Sequence, residues 1–261
     1  MTAASNGSRI AATPRAHFSL WLWDCDAHAA RLLQLDQSAD VLTHDERARA
    51  ARLSDDLARQ RWVCARIALR RALGAWTGTH IERRAFETTA AGRPYLPTPA
   101  PHFSLSHAGP FALAALCEAA GIGADIEQIA ARKIATARRT RLEAFAQQLG
   151  GALPGEADAR FIQAWCRIEA VAKAEGCGVG RLLTRAGLMG PGSGSAGEGR
   201  AKGGSAGITV AEEPDSFMRA MDLDVSRLAP GFAAAVAAPA TVIGGVGSSL
   251  LIADGAALLT A

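Results

Sequence analysis

The sequence has few cysteines, few aromatic residues and no apolar run long enough for a membrane, and each shortage excludes a class of protein. Its five cysteines are scattered and odd in number, without CxxC spacing, which argues against a zinc site and against a disulfide framework. Free cysteines of this kind are usually small core residues, and they favour a reducing compartment. Aromatic residues make up 5% of the chain, and alanine supplies much of its 49% hydrophobic content.

Neither a signal peptide nor a membrane span is predicted. The first 17 residues lack the apolar segment of a signal peptide, and the run "FAAAVAAPATVIGGVG" is too short and too interrupted to span a bilayer. We therefore expect a cytoplasmic, monomeric protein that does not bind membranes.

Charge is unevenly distributed along the chain. Residues 41–84 hold ten arginines and five acids, whereas residues 101–128 hold three acids and no lysine or arginine. The net charge of +3 is too small to indicate nucleic-acid binding by itself. A basic segment followed by an acidic one suits a phosphate-rich ligand with a divalent cation, although a solvated arginine face would give the same pattern.

Hydrophobic periodicity predicts an α/β (α+β) protein of two lobes, each with a few strands and a long helix. The first lobe, 15–120, follows a disordered start at 1–14, and the second, 121–240, precedes a tail at 241–261 without a recognisable signal. The predicted elements are strand 17–26, helix 43–53, helix 56–76, hairpin 102–107 and 111–118, strand 121–129, a charged helical region at 128–149, helix 159–178, and strands within 207–210, 216–225 and 231–238. Residues 187–207 are glycine-rich and predict a flexible surface insertion.

The segment "GIGADIEQI", residues 121–129, alternates apolar and acidic residues. In a strand, Asp125 and Glu127 share one face about 7 Å apart, opposite Ile122, Ala124 and Ile126. Such a carboxylate pair suits a metal site, and the alternative is a solvated edge strand.

Glu169 and Lys173 lie four residues apart on a predicted helix, so they share a face. Together with Asp125 and Glu127, Glu169 would complete a set of three carboxylates. Such a set forms part of a Mg²⁺ shell and leaves positions for water and phosphate oxygens. A simple surface ion pair is the alternative for Glu169 and Lys173. His107 ends its strand before a Gly-Pro turn. A structural role for this histidine is the alternative to a catalytic one.

Four short motifs occur in order: "GRPYLP", "FSLSHAG", "GIGADIE" and "WCRIEAVAK". This series resembles that of the 4′-phosphopantetheinyl transferases of the surfactin-synthetase-activating type. The similarity runs from about residue 41 to 185, and faintly to 238. It implies a pseudo-twofold fold of two lobes, with coenzyme A in the cleft between them. It also implies transfer of phosphopantetheine to a serine of an apo acyl or peptidyl carrier protein, with release of 3′,5′-ADP.

The resemblance implies a role for each candidate site residue. Three carboxylates would hold Mg²⁺ on the diphosphate: Asp125, Glu127 and Glu169. Glu169 would also take the proton of the carrier serine, and Lys173 would stabilise charge on the diphosphate. The residues implied to contact coenzyme A phosphates are Ser106, His107 and Arg93, with Arg61 as a plausible clamp for the 3′-phosphate and His107 also counted among the catalytic groups.

One position departs from the family pattern. Ile168 stands where the helix motif usually has a lysine, and Arg167 lies about 100° around the helix, so it could compensate only in part. A non-catalytic binder of coenzyme A or of a carrier protein is therefore a second hypothesis. A nucleic-acid-binding protein is a third, but it would leave the paired carboxylates unexplained.

Overall fold

The computed structural model describes residues 18–79, 84–90, 92–97, 101–118, 121–189, 217–243 and 252–259. The predicted disordered start and all but the first three residues of the predicted insertion lie outside these residues, as does the strand predicted at 207–210. No helix within the described ranges is long and apolar enough to cross a membrane.

The first lobe is built on a four-stranded sheet. Its strands, in spatial order, are β4 (His102–Ala108), β5 (Phe111–Cys117), β1 (Phe18–Asp24) and β9 (Ile252–Asp254). β1 (Phe18–Asp24) lies antiparallel to β5 (Phe111–Cys117), which forms a hairpin with β4 (His102–Ala108). β9 (Ile252–Asp254) pairs parallel with β1, so the chain returns to the first lobe. A 3₁₀ turn, Gly255–Leu259, follows it.

Three helices and a small hairpin complete this lobe. Two of the helices begin at side-chain caps: Thr43 forms a capping box with Glu46, and Asp55 accepts the amide of Ala58. The elements are α1 (Ala29–Ala39), α2 (His44–Ala51), α3 (Asp56–Thr77) and the hairpin of β2 (Glu87–Thr88) with β3 (Pro94–Tyr95).

The second lobe has a three-stranded antiparallel sheet. Its strands, in spatial order, are β6 (Gly123–Gln128), β8 (Phe232–Pro239) and β7 (Met218–Leu223). Its long helix, α5 (Ala157–Ala174), lies against all three strands. The elements are β6 (Gly123–Gln128), α4 (Thr136–Gly150), α5 (Ala157–Ala174), α6 (Val179–Arg185), β7 (Met218–Leu223), β8 (Phe232–Pro239) and α7 (Ala240–Ile243).

Three buried apolar clusters form the core of the described residues, and one of them joins the two lobes. One lies between α3 and the first sheet, and a second lies between α5 and the second sheet. The third joins the two sheets through side chains such as Leu22, Leu113, Ile126 and Val236. Each fully buried side chain of this size stabilises the fold by about 1.5–3 kcal/mol. The α+β architecture predicted from the sequence, with a long helix on a small sheet in each lobe, is thereby confirmed.

Several details differ from the predictions. The strand predicted at 121–129, which we expected to join the preceding hairpin as a third strand, forms β6 and pairs with β8 instead. The charged segment begins its helix only at Thr136. The predictions omitted α1 and α6, and they left the tail without a role, whereas β9 extends the first sheet.

Gly123 lets β6 approach α5 backbone to backbone. A Cβ atom at this position would lie 1.9 Å from the Ala170 carbonyl oxygen and 2.5 Å from the Ala174 amide nitrogen, which no side chain can tolerate. Because only glycine fits, β6 reaches helix α5 closely enough for their functional side chains to meet.

Candidate active site

The centre of the site is the Asp125 carboxylate, which is 3% exposed. Its Oδ1 accepts hydrogen bonds from Ser106 Oγ on β4 and from Lys173 Nζ on α5, each 2.7 Å away. The Lys173 ammonium also donates to Ser106 Oγ over 3.0 Å and to the Ala124 carbonyl over 3.1 Å. Residues from three elements therefore meet here.

Asp125 is buried, so it does not lie on the solvated face that the alternative to a metal site required. The face itself was correctly predicted, because Ala124 and Ile126 pack in the cluster between the sheets. Helix α5 covers the opposite face, and this is what buries Asp125. Its second oxygen, Oδ2, is buried and has no hydrogen-bond partner within the described residues.

Glu127 and Glu169 are only partly buried, and they interact electrostatically with Asp125. Desolvation raises the pKa of both glutamates, and repulsion from Asp125 raises it further. Lys173 lowers the pKa of both, and Arg132, 3.4 Å from Glu127 Oε2, lowers that of Glu127. The structure therefore places the three carboxylates that the resemblance implied within electrostatic range of one another.

These carboxylates do not form a finished metal cage. Within the described ranges, no group of three or more His, Cys, Asp or Glu side chains is arranged to hold a metal ion. The chemistry of the donor set nevertheless fits Mg²⁺, which binds hard oxygen ligands. Asp125 Oδ2 is a buried acceptor without a hydrogen-bond partner among the described residues, and repulsion from Asp125 contributes to the raised pKa of both glutamates, so a cation at this place would stabilise all three carboxylates.

Cys166, one turn before Glu169 on α5, is a neighbour of these carboxylates that the sequence analysis did not single out. Burial raises the pKa of its thiol, and Asp125 and Glu127 raise it further. The thiol donates to the Ala233 carbonyl over 3.3 Å. Cys166 is therefore a neutral thiol that fills space beside the carboxylates.

A cleft of about 390 Å³ opens next to Lys173. A volume of this size is typical of small-molecule sites. The side chains that line it include Arg49, Trp62 and Arg66 from the first lobe, with Arg93, His107 and Lys173. The cleft thus lies between the lobes and carries several cationic groups.

Two arginines in the cleft flank an aromatic ring. The guanidinium carbons of Arg66 and Arg49 lie 5.1 Å and 5.8 Å from the ring centroid of Trp62. Neither arginine has an ion pair with any acidic side chain that the structure describes. Burial lowers the pKa of Arg66, and Arg49 contributes to this lowering. Both guanidinium groups are therefore available to an anionic ligand. The arginine-rich character of 41–84 was the only sequence signal for them.

His107 lies at the end of β4 and lines the same cleft. Its ring is solvent-accessible, but the walls of the cleft remove part of its hydration. This desolvation lowers the pKa of the imidazole, and the positive charges of Lys173 and Arg66 lower it further. The ring is therefore neutral at neutral pH and can both donate and accept a hydrogen bond.

Two arginines are bound differently from what the sequence analysis expected. Arg61 does not belong to the lining of the cleft, because Asp26 binds its guanidinium through two hydrogen bonds of 2.8 Å and 2.5 Å. Arg93 does line the cleft, but its guanidinium donates to three backbone carbonyls.

The structure also explains the departure at Ile168. Its side chain is fully buried in the core between α5 and the second sheet. Arg167 does not compensate for the missing lysine. It is 2% exposed and binds Asp222 with both Nε and Nη2, and its Nη1 and Nη2 donate to carbonyls near the end of α4. Both positions are therefore structural.

Over most of its length, the chain is similar in sequence to a known protein. The protein is 28% identical to 4′-phosphopantetheinyl transferase psf-1 of Bacillus pumilus over 163 residues, which cover 62% of this chain and 69% of the relative. This similarity supports the phosphopantetheinyl transferase superfamily. No protein-family profile matches the chain. The activity in that relative's name is a proposal for this chain, as are its donor, metal and acceptor.

Proposed function

We propose that this protein transfers 4′-phosphopantetheine from coenzyme A to a serine of an apo acyl or peptidyl carrier protein. The observation that carries the proposal is the meeting of Asp125, Ser106 and Lys173 beside a cationic cleft between two lobes. Coenzyme A combines a diphosphate with a 3′-phosphate, so it requires cationic groups at more than one place.

In the transfer, the carrier serine hydroxyl forms a bond to the phosphorus that bears pantetheine. The bond between that phosphorus and the bridging oxygen breaks, and 3′,5′-ADP leaves with the electron pair. Glu169, the partly buried carboxylate on α5 near Asp125, accepts the serine proton. Lys173 stabilises the charge on the diphosphate.

Binding of coenzyme A is assigned to residues that line the cleft. Arg49 and Arg66 provide guanidinium groups that form no ion pair with the described acidic side chains, and these suit the 3′-phosphate better than Arg61 does. The neutral His107 lines the cleft with Lys173 and can donate to a phosphate oxygen, whereas the Ser106 hydroxyl, already bonded to Asp125 and Lys173, orients the ammonium.

Asp125, Glu127 and Glu169 are the residues that would hold Mg²⁺. When bound, the ion supplies positive charge to the diphosphate oxygens. The carboxylates also repel one another and so keep their side of the site open for a cation.

Mass spectrometry of several apo carrier proteins tests the proposal. Incubation with the protein, coenzyme A and Mg²⁺ should add the mass of one phosphopantetheine to at least one carrier, and EDTA should prevent the gain. Glu169→Gln is the matched variant, because it keeps the side-chain shape and removes the base. If this protein binds carrier proteins but adds mass to none of them, the proposed transferase activity is excluded and the non-catalytic binder is favoured.

A further inference from the structure

Arg93 connects the three elements that carry the candidate site. Its Nη1 donates to the carbonyl of Ala174, the last residue of α5, over 3.0 Å. Its Nη2 donates to the carbonyl of Ile122, just before β6, over 2.8 Å, and to that of Phe103 in β4 over 3.4 Å. The Arg93 side chain therefore links α5, β6 and β4, the elements on which Lys173, Asp125 and Ser106 lie.

The guanidinium has little capacity left for a phosphate. It carries five N–H donors, and three of them, including both on Nη2, are used by these carbonyls. Binding a phosphate with Nη2 would leave carbonyls at the lobe junction without their donor, which is costly for buried backbone groups. Partial burial lowers the pKa of Arg93, but an arginine stays charged at neutral pH.

The small hairpin of the first lobe holds Arg93 in place. The backbone of Arg93 is bound from both sides by Thr89, whose Oγ1 accepts the Arg93 amide over 3.1 Å and whose amide donates to the Arg93 carbonyl over 2.9 Å. Gly92 supplies the positive φ of this turn, and Pro94 begins the return strand. The two short strands thus present a single arginine to the other lobe.

We infer that Arg93 is a positioning residue, which sets α5 and β6 against β4 so that the catalytic groups meet, rather than a phosphate ligand. This inference rests on the proposed function for its kinetic consequence. Its structural consequence, the coupling of the two lobes, does not depend on any activity.

Three variants of the full-length protein separate the two roles. Arg93→Met removes the three hydrogen bonds but keeps most of the side-chain volume, and Arg93→Lys keeps a donor with a shorter reach. Arg66→Met is the matched control, because Arg66 lines the same cleft and makes no hydrogen bond to the other lobe within the part of the chain that the structure describes. The readouts are kcat, the KM for coenzyme A, and hydrogen exchange of the free protein.

For Arg93→Met, we expect kcat to fall by about 100-fold, because a misplacement of about 1 Å costs that much, while the KM for coenzyme A changes less than threefold. Arg93→Lys should restore part of kcat. Arg66→Met should instead raise the KM. A raised KM with unchanged kcat in Arg93→Met would overturn the inference in favour of a phosphate ligand.

Hydrogen exchange gives a result even if no carrier protein is modified and the proposed function fails. Amides at the start of β6 and the end of α5 should exchange at least about tenfold faster in Arg93→Met than in the wild type, and Arg66→Met should leave them unchanged. Equal protection in all three proteins would overturn the positioning role. If Arg93→Met does not fold, the same comparison is made with Arg93→Lys.

Discussion

The ammonium of Lys173 lies 2.7 Å from Oδ1 of Asp125, in the position that a bound cation would compete for. The side chain of Asp125 is 5% exposed and that of Lys173 is 31% exposed, so the pair lies at the inner edge of the cleft. Lys173 thus partly neutralises the carboxylates when they hold no cation. This relationship leads to the first of five predictions.

Replacing Lys173 should strengthen metal binding even as it weakens transfer. In Lys173→Met, we expect the affinity for Mn²⁺ without coenzyme A to rise by about tenfold, since a competing positive charge is removed from Asp125. Electron paramagnetic resonance of free Mn²⁺ measures the affinity. Lys133→Met is the control, since Lys133 is exposed on the segment before α4 and its loss should have no comparable effect. Unchanged Mn²⁺ affinity in Lys173→Met would contradict the competition.

The part of the stability that Glu127 and Glu169 contribute without metal should decrease as pH rises above about 4.5, the ordinary pKa of a glutamate. The folded state raises the pKa of Glu127 and Glu169, so it holds protons that the unfolded chain releases. The stability linked to these protons is fully present below 4.5 and is lost as pH rises through the folded pKa values. Melting temperatures across pH 4–8 in EDTA check this, and the double variant Glu127→Gln, Glu169→Gln should show a smaller loss. A wild-type loss no larger than that of the double variant would refute the assignment.

The close approach of β6 to α5 should make Gly123 irreplaceable. Gly123→Ala places a methyl group against the backbone of Ala170 and should cost about 3 kcal/mol of unfolding free energy through overpacking. Gly178→Ala is the control, because a Cβ there meets nothing within 4 Å and the change should stay within about 0.5 kcal/mol. Denaturant unfolding of both variants measures the difference. Similar midpoints would mean that the strand and helix are farther apart.

Coenzyme A should raise the melting temperature more than dephospho-coenzyme A, since its 3′-phosphate adds binding energy. In Arg66→Met this difference should shrink to less than half. In Arg61→Met it should persist, because Asp26 already binds that guanidinium, and losing such a surface pair costs at most about 1 kcal/mol. The reverse order, with Arg61→Met losing the discrimination, would restore Arg61 as the phosphate clamp.

The family lysine should not be tolerated at position 168. Ile168→Lys would bring an ammonium into a fully buried site and should cost about 3 kcal/mol or more, without lowering the KM for coenzyme A. Ile168→Val, which removes one methylene, should cost about 1 kcal/mol. Thermal unfolding and transfer kinetics of the two variants check this. A stable Ile168→Lys protein with a lower KM would place this side chain at the cleft.

Local sequence determined the elements that carry the site and the faces on which its residues lie. The alternation in residues 121–129 predicted that Asp125 and Glu127 oppose Ala124 and Ile126, because strand side chains alternate between faces. The four-residue step from Glu169 to Lys173 likewise predicted a shared helix face. The ordered motifs added the transferase resemblance, which the relative from Bacillus pumilus supports.

Tertiary structure alone decided which partner each charged side chain has. Sequence spacing left a surface pair between Glu169 and Lys173 as an alternative, but Lys173 reaches across to Asp125, because Gly123 allows β6 to lie directly against α5. Arg61 and Arg66 both lie in the arginine-rich helix α3, and no local sequence feature separates them. Asp26 nevertheless binds Arg61, whereas Arg66 lines the cleft. Electrostatic partners are set by distances between residues far apart in the chain. Local periodicity carries no information about such distances, and only the packing of the two lobes determines them.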